Sequence, residues 1–331
     1  KRIGSSQGYS VQVHEGSYTK VSEKVAIKTI YGGNEFGLRQ IQKEVESLFR
    51  LTGCSNIIPY FGSETIGNTV YVAMELAKGS LEDFYESDTW KHFNIYDIQL
   101  MTQISDGIKF LHAKKIAHRG LKPSNVLVCE DGAKLCDFGN SKVSDSLGET
   151  WTKATVTMMS SDVFSAPENV NTKTKAAEKG QAYVERDQYY ASDIFSLGAM
   201  FFFIVSKGRL LFRFNPKETE VDVIQNIKDW NDQEESHRDK INWKGFELHP
   251  MLIHLILTMT AKAWIKRPTI DQVMKHFFFL NEEFWRSLME DFKQILLSQL
   301  KGNPKFREAF QPSDPEKGKT ILGEKRNWTN V

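Results

Sequence analysis

Hydrophobic and polar positions change their rhythm about a quarter of the way along the chain. Up to about residue 75 the apolar residues mostly alternate, as in "YSVQVHEGSYTKVSEKVAIKTIY" and "TVYVAMEL", which predicts half-exposed antiparallel strands separated by turns. One stretch breaks that alternation. In "GLRQIQKEVESLFRL", Ile41, Val45, Leu48, Phe49 and Leu51 recur near helical spacing with charge on the other side, so one helix is expected among the strands.

After Lys78-Gly79 the spacing becomes helical. "IYDIQLMTQISDGIKFLHAKK" carries an apolar stripe of Ile98, Met101, Ile104, Ile108 and Leu111. "DIFSLGAMFFFIVSKG" is apolar nearly all round, as a helix in the middle of a large lobe would be. Its longest apolar run, Leu197 to Val205, is about half a membrane span. Residues 214–248 turn polar and acidic and read as a solvated face with short helices. A last helix is expected over "NEEFWRSLMEDFKQILLSQLKG", with Asn281 as N-cap and Gly302 near its end. The polar tail after it ends in "RNWTNV". The outline is α+β: a small strand-rich lobe, then a large helical one.

Composition narrows the functional classes. The 331 residues are 40% hydrophobic, enough for a core in two lobes. A formal net charge of +1 gives no reason to expect a nucleic-acid or membrane surface. Three cysteines, Cys54, Cys129 and Cys136, make no disulfide framework and suggest a reducing compartment, with the cytosol as default.

The chemistry lies in a few short strings. Phosphoryl transfer needs charge neutralised and a nucleophile aligned, and little covalent help. "VAIK" ends a predicted strand at Lys28, whose ammonium could reach phosphate oxygens. Glu44, on the following helix, could hold that ammonium as an ion pair. "LCDFGNS" supplies Asp137 with a glycine behind it, and Asn125 precedes it by twelve residues; a carboxylate and an amide oxygen can hold Mg²⁺. Glu168 in "SAPEN" and Arg267 in "IKRPT" would form a buried structural brace. Each string alone is weak, since a strand ending in lysine is usually a solvated strand end. Their common order over about 240 residues is what makes coincidence a poor account of them.

With these motifs the chain resembles the eukaryotic protein kinases over roughly residues 1–279, which implies the bilobal fold with an N-lobe at 1–77 and a C-lobe at 78–279. The resemblance implies ATP (or ADP) and Mg²⁺ as ligands. It puts Lys28 at the phosphate-contacting lysine, Glu44 at its helix partner, Lys122 at the transferred phosphate, and Asn125 and Asp137 at the metal. Gly4, Gly8 and Val11 fall in the phosphate-covering loop, Ala26 and Leu127 at the ceiling and floor of the base pocket, Met74 at the gatekeeper, and Glu75 to Ala77 at the adenine-contacting hinge. His118 and Phe138 join the hydrophobic stack, and Asp193 anchors the buried helix. "LKPSN" looks like the serine/threonine class.

The strings "NIIPYFGSE", "YVAMELAKGSLEDF" and "RPTIDQVMKHFFF" sharpen this to the inositol-requiring kinase–ribonuclease family, with ribonuclease L a more distant match. Residues 280–331 resemble only the opening of that family's nuclease domain. The resemblance favours a homodimer or a protein partner. It implies a cytoplasmic location, on the cytosolic face of the endoplasmic reticulum if the chain is part of a longer protein. Neither direct nucleic-acid binding nor a membrane segment is expected of the stretch in hand.

Two departures matter. The glycine loop "IGSSQGYSV" is thin, with Ser6 where a second glycine usually stands and Gly8 one place early. More seriously, "IAHRGLKPSN" carries Gly120 where the chemistry asks for an aspartate, and no carboxylate stands between His112 and Ser124. General-base help is worth about 10²–10⁴ in rate. Two explanations fit: a natural pseudokinase that signals by nucleotide binding, or an active kinase whose base was removed on purpose. The Ser/Thr-rich stretch from Asn140 to Ser165 reads equally as a regulatory loop, where a phosphate could meet Arg119, and as a plain solvated loop.

Overall fold

The computed structural model describes residues 2–6, 11–49, 51, 53–87, 97–137, 142–143, 163–170, 186–244 and 250–279. The chain falls into two compact units, Lys1–Met274 and Lys275–Val331. In the second unit the described residues include a short 3-10 turn, Phe277–Phe279. The expected last helix, the polar tail, most of the Ser/Thr-rich stretch and the insertion after Glu168 lie outside the described residues.

The first unit opens with a five-stranded antiparallel sheet: β1 Arg2–Ser6, β2 Val11–Tyr18, β3 Val21–Tyr31, β4 Tyr60–Ile66 and β5 Thr69–Glu75, in spatial order β1-β2-β3-β5-β4. The helix α1, Glu35–Leu48, interrupts it where helical spacing predicted. Its Ile41 and Val45 pack with Val70 and Val72 of β5, and Ile30, Leu38, Phe49 and Tyr60 close the edges. Alternation therefore does what it should, turning one face of the sheet to a helix. Register places Lys28 of β3 opposite Val13 of β2 and Val72 of β5, and Ala26 opposite Met74.

Past β5 come the two-residue strand β6 Gly79–Ser80, α2 Leu81–Glu86, α3 Asp97–Ala113 and β7 Ile116–Ala117. A hairpin of β8 Val126–Cys129 and β9 Gly132–Leu135 follows, and β10 Lys142–Val143 pairs with β7. Further on lie α4 Arg186–Val205, α5 Glu220–Asp229, α6 Glu235–Arg238, α7 Pro250–Met259 and α8 Ile270–Met274. α4 is long and apolar enough to cross a membrane, but most of it is buried inside this unit, with Phe195, Leu197, Met200, Phe201 and Ile204 fully enclosed. Its buried serines are spent: Ser196 donates to the Phe164 carbonyl at 2.8 Å and Ser192 to Glu168 at 2.8 Å. That is what lets them lie in a core.

Residues 214–244 are mostly exposed with short helices, as expected, but one side of α5 is not. Thr219 and Asp222 form a capping box at the start of α5. Val223, Ile227 and Trp230 then fall on one side and are buried to 1% exposure or less. The Trp230 indole N–H donates to the Thr260 carbonyl at 2.8 Å, which satisfies the one polar atom that burial would strand.

Glycine at 107 lets α3 lie close against the β8–β9 hairpin. A Cβ there would sit 2.8 Å from the Leu135 side chain and 2.9 Å from the Asn56 carbonyl oxygen. That oxygen accepts from the Leu135 N–H at 2.9 Å, so it cannot retreat freely. Gly107→Ala gains about 1 kcal/mol of helix propensity against roughly 1–3 kcal/mol for overpacking. We expect a net loss of about 1 kcal/mol, read as a fall of about 2–4 °C in Tm; an unchanged or higher Tm would refute the tight contact.

Candidate active site

Strand register and one left-handed residue bring the first pair together. Lys28 projects from β3, and Asp137 follows β9 with φ +59°. The Lys28 ammonium donates to Asp137 Oδ1 at 2.8 Å, across 109 residues of sequence. Burial alone pushes the Asp137 carboxyl up; Lys28, by charge and by hydrogen bond, and Lys122 outweigh it and hold the group below its usual range. Asp137 is therefore a carboxylate. The expected partner Glu44 sits on α1, and its side chain lies outside the described residues.

The loop after β7 is held from below. Asp193 of α4, 1% exposed, accepts from the His118 N–H at 2.8 Å with one oxygen and from the Arg119 N–H at 2.8 Å with the other, while His112 Nε2 lies 2.9 Å away. Both carboxylate oxygens are thus engaged with the loop backbone, which fixes Asp193 in a structural part beneath the loop. Arg119 takes φ +62° and lies over the Tyr189 ring at 4.9 Å. Burial lowers its pKa against the opposing pull of Tyr189 and Asp193.

Gly120 donates to His118 Nδ1 at 3.3 Å and accepts from Asn125 Nδ2 at 2.6 Å. With the Asn125 amide nitrogen spent on the loop, its oxygen is the atom left to meet a cation. Among the described residues no group of three or more His, Cys, Asp or Glu could enclose a metal. A site of one carboxylate and one amide oxygen suits Mg²⁺, which keeps waters and shares substrate phosphates. Lys122 stands in extended conformation at the start of the turn Pro123–Asn125.

The residues expected around the base lie along and beyond the end of β5. Ala26 and Met74 are buried cross-strand partners. On β8 Leu127 is half-buried between the buried Val126 and Val128. Beyond β5, among the described residues, no hydrogen bond engages the backbone of Leu76 or Ala77, while Glu75 N–H goes to the Pro59 carbonyl and Lys78 N–H to the Val128 carbonyl. Free backbone groups between two tied ones are a place for the polar edge of a base. Gly4 lies in β1 and Val11 opens β2; the Val11 side chain, Gly8 and Phe138 lie outside the described residues.

Away from this cleft, Arg267 is fully buried and forms the expected brace, donating to both oxygens of Glu168 at 2.6 and 2.8 Å. One cluster was missed by sequence reasoning: Lys134 on β9 donates to the Glu75 carboxylate at 2.7 Å. Its only signal was a lysine inside an otherwise buried run.

Residues 1–279 match the family model described as "Protein kinase domain". The chain belongs to the protein kinase family. A serine/threonine-protein kinase/endoribonuclease IRE1 of Oryza sativa subsp. japonica is 28% identical over 326 residues, 88% of this chain and 32% of that protein. The serine/threonine-protein kinase/endoribonuclease ire-1 of Caenorhabditis elegans is 26% identical over 82% of this chain and 26% of its own length. The probable serine/threonine-protein kinase irlA of Dictyostelium discoideum is 27% identical, over 79% and 18%. This protein kinase chain thus spans about a third or less of the curated relatives it matches. The twitchin kinase region of C. elegans superposes with a TM-score of 0.64 at 19% identity, over 85% of this chain and 45% of that one, which shows the bilobal α+β kinase fold.

Proposed function

We propose that this kinase domain binds Mg·ATP or Mg·ADP and signals through the conformation and dimerisation that nucleotide sets, with phosphotransfer impaired or absent. One observation carries the reading: Lys28 and Asp137 meet at 2.8 Å, beside a loop that offers the Asn125 oxygen and has glycine in place of a base. In this reading Lys28 orients the phosphates, Asp137 and Asn125 hold Mg²⁺, and Lys122 faces the transferred phosphate. Ala26, Met74, Leu127 and the Glu75–Ala77 backbone hold the base. When bound, ATP brings the activated phosphoryl group; what the chain lacks is the carboxylate that would take the acceptor's proton. The free thiols of Cys54, Cys129 and Cys136 fit a reducing, cytosolic setting.

Thermal shift and calorimetry with Mg·ATP test this. At a hundred times its dissociation constant the ligand should stabilise the fold by about 2.7 kcal/mol, or about 5–10 °C in Tm. Lys28→Met and Asp137→Asn should abolish the shift while far-UV circular dichroism stays native. No Mg-dependent binding by the unaltered chain would leave a kinase-shaped scaffold and end the reading.

A second reading is favoured by the relatives whose names join kinase to endoribonuclease. Here the chain is the autophosphorylating serine/threonine kinase part of an unfolded-protein sensor, coupled to a ribonuclease domain in a longer protein. Nucleotide-dependent self-association, measured by sedimentation, is expected under both readings. Phosphate incorporation separates them.

A further inference from the structure

We propose that Lys134 is a positioning residue for base recognition: from β9 it holds Glu75, and with it the Glu75–Ala77 backbone, in the register that accepts adenine and refuses guanine. This rests on the nucleotide reading above and assigns its base specificity to a side chain.

Lys134 is 7% exposed, a poor place for an ammonium unless it is paired. It has two partners, Glu75 Oε2 at 2.7 Å and Asp131 Oδ2 at 3.0 Å. Burial lowers its pKa, but the bonds to Glu75 and Asp131 prevail and hold it above the ordinary lysine value, so it stays charged. Burial first, then the Glu75 carboxylate, push the Cys129 thiol up to about 12, which keeps it protonated. One carboxylate at the end of β5 is thus gripped from β9 of the β8–β9 hairpin. A more exposed companion, Lys78 to Glu130 at 2.9 Å, ties the next residues to the same hairpin.

The hairpin is also the floor of the proposed pocket. Lys134 is the cross-strand partner of Leu127, and directly opposite residues share a face. The grip and the floor are therefore one rigid piece, and the free backbone at Leu76 and Ala77 is held at a fixed height above it. Base choice depends on that height. Adenine offers a donor amino group beside an acceptor nitrogen, which match a neighbouring backbone carbonyl and N–H; guanine offers an oxygen acceptor and an N–H donor, the reverse order. A backbone free to slide would blur the distinction. Stability alone does not call for such a device, because a buried ion pair is often no better than apolar packing of the same volume.

The test measures Mg·ADP and Mg·GDP affinities of the full chain by calorimetry, alongside Tm. The unaltered chain should prefer ADP. Lys134→Met should weaken ADP by about tenfold, the size of a lost hydrogen bond to a charged group, and leave GDP within about twofold. Lys28→Met should weaken both alike. If Lys134→Met does not fold, Glu75→Gln removes the charge from the other end and should lower the ADP/GDP ratio in the same way. A fall in Tm with an unchanged ratio, or no preference in the unaltered chain, overturns this inference alone. Binding of neither nucleotide overturns the nucleotide reading and this inference with it.

Discussion

Gly120→Asp should raise phosphate incorporation from Mg·ATP by about 10²–10⁴-fold, the usual worth of a general base, while leaving the affinity for Mg·ATP nearly unchanged. That is roughly 3–5 kcal/mol of barrier at about 1.36 kcal/mol per decade. The backbone accepts the new side chain, because Gly120 is not among the glycines with left-handed φ; the strained positions of the site are Arg119 and Asp137. The hydrogen bonds that shape the loop run through its backbone, from His118 and Arg119 to Asp193 and from Asn125 to the residue 120 carbonyl, so none is lost. Radiolabel transfer to the chain itself and to a generic serine/threonine substrate reads the outcome. If Gly120→Asp binds Mg·ATP and remains inactive, more than the base is missing, and both readings of the site fail in their catalytic half. If the unaltered chain is already fast, another group supplies the base.

Arg267→Met should be the most damaging single change to stability away from the cleft. The guanidinium is fully buried, spans both Glu168 oxygens, and adds bonds to the carbonyls of Ala191, Ala261 and Lys262. It also lies over the Phe195 ring at 4.9 Å. Removing one partner strands a carboxylate that is itself mostly enclosed, at a cost of about 3–5 kcal/mol. In Tm this is a fall on the order of 10 °C. Glu168→Gln keeps the shape and one acceptor and should cost less. Nucleotide affinity of Arg267→Met, measured well below its Tm, should be unaltered, which separates brace from site; a Tm within 2 °C of the parent would contradict the burial argument.

How far residues alone could carry the site depended on how local each signal was. Lys28, Asn125 and Asp137 could be singled out because the chemistry asks for residue types in short strings, α1 and α3 because their spacing is regular, and α4 because it is apolar nearly all round. The meeting of Lys28 with Asp137 was not readable, since it depends on which strand pairs with which. Lys134 and Glu75 are 59 residues apart; nothing near either one announces the other. The stripe of Val223, Ile227 and Trp230 was hidden for another reason, three apolar positions being too few to stand out in a strongly charged stretch. Gly120 is the opposite case. A missing side chain is visible at once in sequence; that the Asp193 carboxylate beside it is tied to the His118 and Arg119 N–H groups is visible only in the coordinates.

Asp193 grips the loop 75 residues away in sequence, from the buried side of a mostly enclosed helix. The loop's outline is therefore stored in the interior of the large lobe, whereas the base that Gly120→Asp would supply depends on one residue of the loop. Form and reagent have separate addresses in this chain. A substitution at residue 120 therefore changes the reagent while the vessel keeps its shape.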